Sequence, residues 1–315
     1  NFDLSLTIKI KIYFFNLGYS KRSYLKFNNK FKTNQPKTFL SMFKQLDFIS
    51  EKQILKLNHL REFLLNLKST CIAYSGGVDS ALIAAIAYEQ LGKNSMAITG
   101  VSPALASQLL NEARSQAKWI GIKHLEINTF ELEDKSYSKN PKDRCFACKK
   151  ELHKHTTFLS KKLNYQNVID GVNFDDLGDF RPGIKASQEA GVISPLALFK
   201  FSKKDIRDIS KSLGLPWWDK PAQPCLSSRF PYGYEITDSR LKMIEKAEEY
   251  IRKIGIKDVR VRCQGTSARI EIPSDQIQSF IKNYDREELL NFFFEIGFKS
   301  VSLDLEGLIS GKLNR

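Results

Sequence analysis

A short apolar segment, residues 71–74, leads directly into Ser75-Gly76-Gly77 and then into a helix-forming stretch that begins near Asp79. Two consecutive glycines permit positive φ angles and close approach to the backbone. The N–H groups of such a turn, at the amino end of a helix, bind phosphate. The segment lacks the spacing and the lysine of a Walker loop. The sequence therefore predicts a phosphate-binding turn of a different kind, which fixes a strand–turn–helix unit at this point.

The rest of the chain continues this alternation of strands and helices. Strands are predicted at 70–74, 95–101, 124–128 and 167–171, with helices at 46–67, 80–91, 103–120 and 148–163. Helices of this length between short apolar strands indicate βαβ units and a parallel sheet. After about residue 230 the order becomes helix, two strands, helix, strand, at 237–254, 258–263, 268–272, 274–296 and 300–305. We therefore predict an α/β domain over 42–230 and a small α+β domain for substrate binding or oligomerisation over 231–315.

Composition limits the environment and the partners. Five cysteines in 315 residues are too few for a disulfide scaffold, which favours a reducing compartment and a cytoplasmic location. The longest apolar run, residues 81–88, is too short to cross a membrane. The net charge of +14 is compatible with either nucleic acid or small phosphorylated ligands.

Half of that charge lies in residues 1–41, which contain eight lysines and arginines against one acid, Asp3. Three interpretations of this basic extension compete. It is a targeting peptide, a nucleic-acid-binding arm, or upstream sequence translated before a true start at Met42. The abrupt change of composition at Met42 favours the third, in which case the extension is not native.

The phosphate turn resembles the SGGxDS loop of the ATP-pyrophosphatase (PP-loop) superfamily, whose members cleave ATP between the α- and β-phosphates. Three further segments narrow the resemblance, namely RCFACK at 144–149, DGVNFDDLGDFRPG at 170–183 and WDKPAQPCLSSR at 218–229. Over about residues 45–305 the chain resembles the LarE family of ATP-dependent sulfur transferases. The resemblance implies an adenine nucleotide alpha hydrolase-like fold with ATP and Mg²⁺. The implied ATP-binding residues are Ser75, Gly76, Gly77, Val78, Asp79 and Ser80.

The resemblance also implies a substrate and a reaction. The substrate is pyridinium-3,5-biscarboxylate mononucleotide, a carboxylate of which is adenylated and then converted to a thiocarboxylate for the nickel-pincer cofactor. Cys225 is the expected sulfur nucleophile, because a thiolate near Lys220 and Arg229 has a cationic setting that lowers thiol pKa. Asp79 and Asp176 are further candidate catalytic residues.

Two other cysteines leave the sulfur source open. Cys145 and Cys148, together with Cys225, provide three thiolates for a [4Fe-4S] cluster that carries a labile sulfide, as the resemblance implies for some members. Zinc bound with His153 and His155, a redox pair, and unbound thiols are the alternatives. Without a cluster, the resemblance implies the route of other members, in which a single cysteine, here Cys225, gives up its own sulfur and becomes dehydroalanine. Cys71 and Cys263 fit buried structural thiols.

Candidate anion-binding residues occur in the second domain. Arg260 and Arg262 alternate on a strand, so both side chains point to one face. Two guanidiniums on one face suit a phosphate, and the resemblance suggests the phosphate of the mononucleotide, with Arg181 as a further contact. The competing interpretation is a solvated strand face. Glu248 and Glu271 are weaker candidates for a general base or a metal ligand.

Other functions remain open from the sequence. A PP-loop synthetase that forms amides would need an ammonia supply, and a tRNA-thiolating enzyme would use the basic charge. A nucleotide-binding regulator without turnover is a further alternative, and the presence of Asp79, Ser80 and Cys225 argues against it. We favour small anionic ligands over nucleic acid, expect no membrane partner, and leave the formation of a homo-oligomer open.

Overall fold

The computed structural model describes Phe43, residues 46–179, residues 181–309, Gly311 and Lys312. The basic extension, residues 1–41, lies outside this part of the chain. The described residues form two compact units. The first runs to Val101 and includes Ser107–Thr129 and Cys145–Gln223; the second comprises Ser102–Ala106, Phe130–Arg144 and the chain from Pro224. The predicted boundary, between 230 and 231, falls close to the start of that last segment.

The first unit is built on a four-stranded parallel sheet in the order β3-β2-β1-β4. Its strands are β1 (Thr70–Ala73), β2 (Ser95–Val101), β3 (Lys123–Asn128) and β4 (Asn167–Ile169). Its helices are α1 (Glu51–Leu67), α2 (Val78–Leu91), α3 (Ser107–Ile120), α5 (Arg144–Lys162), α6 (Pro182–Glu189), α7 (Pro195–Leu198) and α8 (Lys203–Ser212); α4 (Lys135–Ser138) belongs to the second unit. The α/β fold class is confirmed.

Burial explains why α2 is the central helix of this unit. Every residue from Ala81 to Ala87 is fully buried, as expected for a helix that is apolar on all sides. It packs against α1 and α8 as well as the sheet. The first strand is also buried along its whole length. A rigid, dry strand–turn–helix unit therefore fixes the turn between residues 74 and 78.

The second unit is a small α+β structure, as predicted. Its three-stranded sheet, in the order β5-β6-β7, pairs β5 with β6 antiparallel and β6 with β7 parallel. These strands are β5 (Arg260–Gln264), β6 (Ser267–Glu271) and β7 (Ser300–Leu303), and the helices are α4, α9 (Asp238–Lys253), α10 (Ile277–Asn283) and α11 (Arg286–Glu295). The single helix predicted over 274–296 is two helices, because Asp285 caps a new amino terminus by accepting hydrogen bonds from the N–H groups of Glu287 and Glu288.

The helices α6, α7 and α8 were not predicted. The last had a clear signal, since Ser202 and Asp205 form a capping box ahead of the helix-spaced, buried Ile206 and Ile209. None of the helices in the described part of the chain combines the length and the apolar character that a membrane crossing requires.

Candidate functional site

The phosphate loop, Ser75–Ser80, connects β1 to α2. Gly76 has a φ of 67°, in the region that glycine enters without strain. A Cβ at this position would lie 2.9 Å from the Cβ of Ala113, so any larger residue would also clash with α3. The hydroxyl of Ser80 accepts a hydrogen bond from the N–H of Ser75 at 3.2 Å and donates to the carbonyl of Gly77 at 3.1 Å. These bonds hold the turn in a preformed shape at the amino end of α2.

The acidic loop, Asp170–Asp179, follows β4 and borders the phosphate loop. A Cβ on Gly171 would lie 2.7 Å from the backbone nitrogen of Ser80, so the two backbones approach as closely as glycine permits. Asp170 is buried and accepts a 2.7 Å hydrogen bond from the hydroxyl of Ser194. The acidic loop is therefore not a free solvated turn.

Asn173 connects the two loops. Its side-chain amide donates to the Asp79 carboxylate at 3.3 Å, and its side-chain oxygen accepts from the N–H groups of Asp175 and Asp176. Its own N–H donates to the carboxylate of Asp176 at 3.1 Å. A buried amide that fixes both candidate carboxylates was not singled out from the sequence. The Asn-x-Asp-Asp spacing, typical of a side-chain-capped turn, was the available signal.

Asp79, Asp176 and Arg181 lie in one network of the first unit. Arg181 forms an ion pair with Asp176 at 2.8 Å. Burial raises the pKa of Asp176, and the nearby Asp79 carboxylate raises it further, against the opposing effects of Asn173, Arg181 and Lys203. Two carboxylates that repel each other electrostatically form a suitable place for positive charge.

Two lysines contact the phosphate loop from other elements. Lys203, the first residue of α8, donates to the Asp79 carboxylate at 2.5 Å. Lys220 donates to the carbonyl oxygen of Gly76 at 3.1 Å and forms an ion pair with Glu112 on α3. Lys203 was not recognised from the sequence. Lys220 was expected beside Cys225, whereas its described partners belong to the first unit.

Cys145 and Cys148 lie one turn apart on α5, and Cys225 belongs to the second unit. All five cysteines fall in the described part of the chain, and none forms a disulfide. Among the described residues, no group of three or more His, Cys, Asp or Glu side chains is arranged to hold a metal ion. The three thiols considered for a [4Fe-4S] cluster therefore come from both compact units.

The two histidines of α5 have other partners. His153 is fully buried and its Nε2 shares a 2.8 Å hydrogen bond with the hydroxyl of Ser187, whereas His155 pairs with Glu151. The expected alternative, a Cys-Cys-His-His zinc site, is not formed by these described residues. Burial, with the nearby Lys149 ammonium, lowers the pKa of His153 to about 3.

This low pKa predicts acid sensitivity. The unfolded chain binds a proton at His153 below about pH 6.5, and the folded protein does not do so until about pH 3. The contribution of His153 to the free energy of unfolding is therefore fully present above pH 6.5 and is lost progressively as the pH falls towards 3. At pH 5 the expected loss is about 2 kcal/mol. Urea denaturation at pH 7 and pH 5 should show this difference in the wild type, beyond that in His153→Gln. Equal pH dependence in both proteins would contradict the assignment.

Cys225 caps the 3₁₀ turn Leu226–Arg229 in the second unit and is partly exposed. The expected cationic setting is altered in one respect. The Arg229 guanidinium forms a bidentate ion pair with Glu248, at 2.7 and 3.0 Å, and also donates to the carbonyl oxygens of Pro224 and Cys225. Its charge is therefore balanced by a buried carboxylate, and its other hydrogen bonds hold the peptide groups on both sides of Cys225.

An arginine cluster in the second unit consists of Arg229, from the 3₁₀ turn that follows Cys225, and of Arg260 and Arg262, from β5. Arg262 is buried, paired with Glu271 at 2.8 Å, and donates to the carbonyl oxygen of Ser228 at 2.7 Å. Arg260 is half-buried, and burial lowers its pKa, with Arg229 and Arg262 lowering it further. Glu248 and Glu271 thus pair with two of the three arginines and are also shared with Arg252 and Arg269. Arg260 forms no ion pair with a described residue.

A parallel sheet whose first strand ends in the phosphate loop, joined to a small α+β unit, defines a protein of the PP-loop ATP-pyrophosphatase class. No family model matches the chain. The chain is 34% identical over 252 residues to the pyridinium-3,5-bisthiocarboxylic acid mononucleotide synthase of Lactiplantibacillus plantarum, covering 80% of this chain and 91% of that protein. It is therefore a member of the LarE family.

Two uncharacterized relatives match over similar lengths. A Synechocystis protein is 54% identical over 260 residues, which cover 82% of this chain and 97% of the relative. A Methanocaldococcus jannaschii protein is 36% identical over 256 residues, covering 81% of this chain and 96% of the relative.

Proposed function

We propose that this protein is an ATP-dependent sulfur transferase that adenylates a carboxylate of pyridinium-3,5-biscarboxylate mononucleotide and replaces it with a thiocarboxylate for the nickel-pincer cofactor. The observation that carries the proposal is the 34% identity, over most of both chains, to a synthase named for the bisthiocarboxylic mononucleotide. The preformed phosphate loop and the partly exposed Cys225 support it.

Adenylation is needed because a carboxylate is a poor electrophile. Its oxygen attacks the α-phosphorus of ATP, and pyrophosphate leaves. The N–H groups at the amino end of α2 stabilise the phosphate charge that develops at the phosphate loop. Asn173 and Lys203 hold the Asp79 carboxylate in place at this loop. The product of this half-reaction is an acyl-adenylate.

Sulfur transfer then uses the thiolate of Cys225. Its sulfur attacks the acyl carbon, AMP leaves, and a thioester forms between the enzyme and the substrate. Removal of the Cα proton and cleavage of the Cβ–S bond release the thiocarboxylate and leave dehydroalanine. Arg229 supports this step indirectly, because its hydrogen bonds to the Pro224 and Cys225 carbonyls fix the backbone that carries the thiol.

The mononucleotide phosphate is assigned to the arginine cluster. The Arg260 guanidinium makes no hydrogen bond to another described residue and keeps all five N–H donors for an anion. Arg262 is engaged with Glu271 and Ser228. We therefore infer that Arg260 contacts the phosphate and that Arg262 positions the strand. Arg181, which also pairs with Asp176, stays a further candidate contact for the phosphate.

The chemistry of the side chains beside the phosphate loop fits Mg²⁺. Mg²⁺ is usually held by one or two carboxylates together with substrate phosphates, and Asp79 with Asp176 supplies such a pair. When bound, the ion neutralises charge on the phosphates. The proposed sulfur route uses Cys225 alone, and sulfide carried by a cluster on Cys145, Cys148 and Cys225 is the alternative route.

Mass spectrometry after incubation with ATP and the mononucleotide tests the proposal. We expect AMP, pyrophosphate and a product in which one carboxylate oxygen is replaced by sulfur, and Asp79→Asn should greatly reduce all three. Thiolated tRNA in place of a thiocarboxylate would support the tRNA-modifying alternative. An amide formed with added ammonia would support the synthetase alternative. Either result without the thiocarboxylate would overturn the proposal.

A further inference from the structure

The phosphate loop is contacted by two ammonium groups that come from distant parts of the sequence. Lys203 reaches the carboxylate of Asp79, near the end of the loop, and Lys220 reaches the carbonyl oxygen of Gly76, near its beginning. The loop itself contributes backbone N–H groups, the hydroxyls of Ser75 and Ser80 and the carboxylate of Asp79, but no cationic side chain. The two lysines are therefore the cationic side chains placed directly against it in the described part of the chain.

Both lysines keep donors beyond those already used. An ammonium group has three N–H donors and no acceptor. Lys203 uses one of them on Asp79, and Lys220 uses two, on Gly76 and Glu112. Lys203 therefore has two donors left and Lys220 has one. A phosphate oxygen bound at the loop offers the acceptors that these donors lack.

Their surroundings also hold the two ammonium groups in place. The Lys220 side chain is only 13% exposed, and it lies between the Gly76 carbonyl and Glu112 of α3. Lys203 is fixed at its backbone as well, since its N–H donates to Asp175 of the acidic loop at 2.7 Å. Neighbouring Lys204, by contrast, is 82% exposed and pairs only with Asp208 on its own helix.

We propose that Lys203 and Lys220 are ligands of the pyrophosphate half of ATP, one at each end of the phosphate loop. This inference depends on the proposed function, because it assigns residues to the same nucleotide site. The ammonium groups bind the β- and γ-phosphate oxygens through charge-assisted hydrogen bonds and stay with the pyrophosphate when it leaves. In this assignment the lysines contact only the pyrophosphate half of ATP, so AMP affinity should not depend on them.

Calorimetric titration of the full-length protein with ATP, inorganic pyrophosphate and AMP tests the assignment. Lys203→Met and Lys220→Met should each weaken ATP and pyrophosphate binding by about ten- to a hundredfold. AMP affinity should remain within about twofold of the wild type. Lys204→Met, on the next residue of α8, is the matched control and should bind all three ligands normally. Lys203→Arg should recover part of the loss.

The outcomes separate a ligand from a structural role. Equal weakening of AMP would show that the lysines only shape the loop, and ATP binding as tight as in Lys204→Met would show that they do not contact phosphate. Either result overturns the inference. A wild-type protein that binds neither ATP nor pyrophosphate overturns both this inference and the proposed function. One that binds them but forms no thiocarboxylate overturns the proposed function alone.

Discussion

Replacement of Cys225 by alanine is expected to abolish thiocarboxylate formation while leaving adenylation intact. The thiol is the sulfur source in the proposed reaction, so no product should remain above background. Exchange of labelled pyrophosphate into ATP should continue in the presence of the mononucleotide, because the phosphate loop belongs to the other compact unit. The wild-type protein, after one turnover, should have lost the elements of H₂S from residue 225, as intact-protein mass spectrometry would detect.

The other exposed or partly exposed cysteines provide the matched control. Cys145 and Cys148 lie on α5, and the double Cys145→Ala/Cys148→Ala variant should form the same amount of thiocarboxylate per protein. Loss of product in this double variant, together with iron in anaerobically purified wild type, would favour the cluster route. Product from Cys225→Ala would exclude residue 225 as the sulfur donor.

The second large effect is expected at Glu248. This carboxylate is 1% exposed and accepts hydrogen bonds from both Arg229 and the N–H of Val261. Glu248→Gln leaves the buried Arg229 guanidinium without its counter-charge, which costs about 3–5 kcal/mol. Urea denaturation monitored by far-UV circular dichroism should show that the second unit of Glu248→Gln unfolds at a lower urea concentration than in the wild type. Tryptophan fluorescence would not report on this unit, because Trp119, Trp217 and Trp218 all lie in the first unit.

Glu249→Gln is the control for this prediction. It removes a charge from the next residue of α9, which forms no ion pair with a described residue, and should change stability by less than about 0.5 kcal/mol. Pairing the change at Glu248 with Arg229→Met removes both buried charges and should recover part of the loss. A Glu248→Gln protein as stable as the Glu249→Gln protein would contradict the role assigned to this ion pair.

The parallel sheet and the phosphate loop could be predicted because their signals are local. The apolar strand, the two glycines and the helix start at residue 78 are contiguous, and the glycines at 76 and 171 mark close backbone approaches. The helix α8 could have been predicted from its capping box and from the spacing of Ile206 and Ile209. Its absence from the prediction also concealed Lys203.

The partners of the charged residues could not be predicted, because they depend on contacts distant in sequence. Lys203 and Asp79 are 124 positions apart. The alternation of side chains along β5 places Arg260 and Arg262 on one face, but the register with β6 decides which of the two arginines pairs with a carboxylate. Arg260 lies opposite Glu271 in the pairing, yet Glu271 binds the Arg262 guanidinium diagonally. That diagonal contact leaves Arg260 available for an anion.

The interleaving of the two units along the chain has a consequence for how the protein is made. The chain passes from one unit to the other five times. The segment after Pro224 depends on residues synthesised much earlier. The backbone N–H groups of Leu226 and Ile236 donate hydrogen bonds to the carbonyl oxygens of Ala104 and Ser138, and the hydroxyls of Ser227 and Tyr137 share a hydrogen bond. A fragment that begins at Pro224 therefore lacks partners for its own backbone. During synthesis, residues 102–106 and 130–144 must wait for the carboxyl-terminal third of the chain before they can pack, so the second unit is completed last.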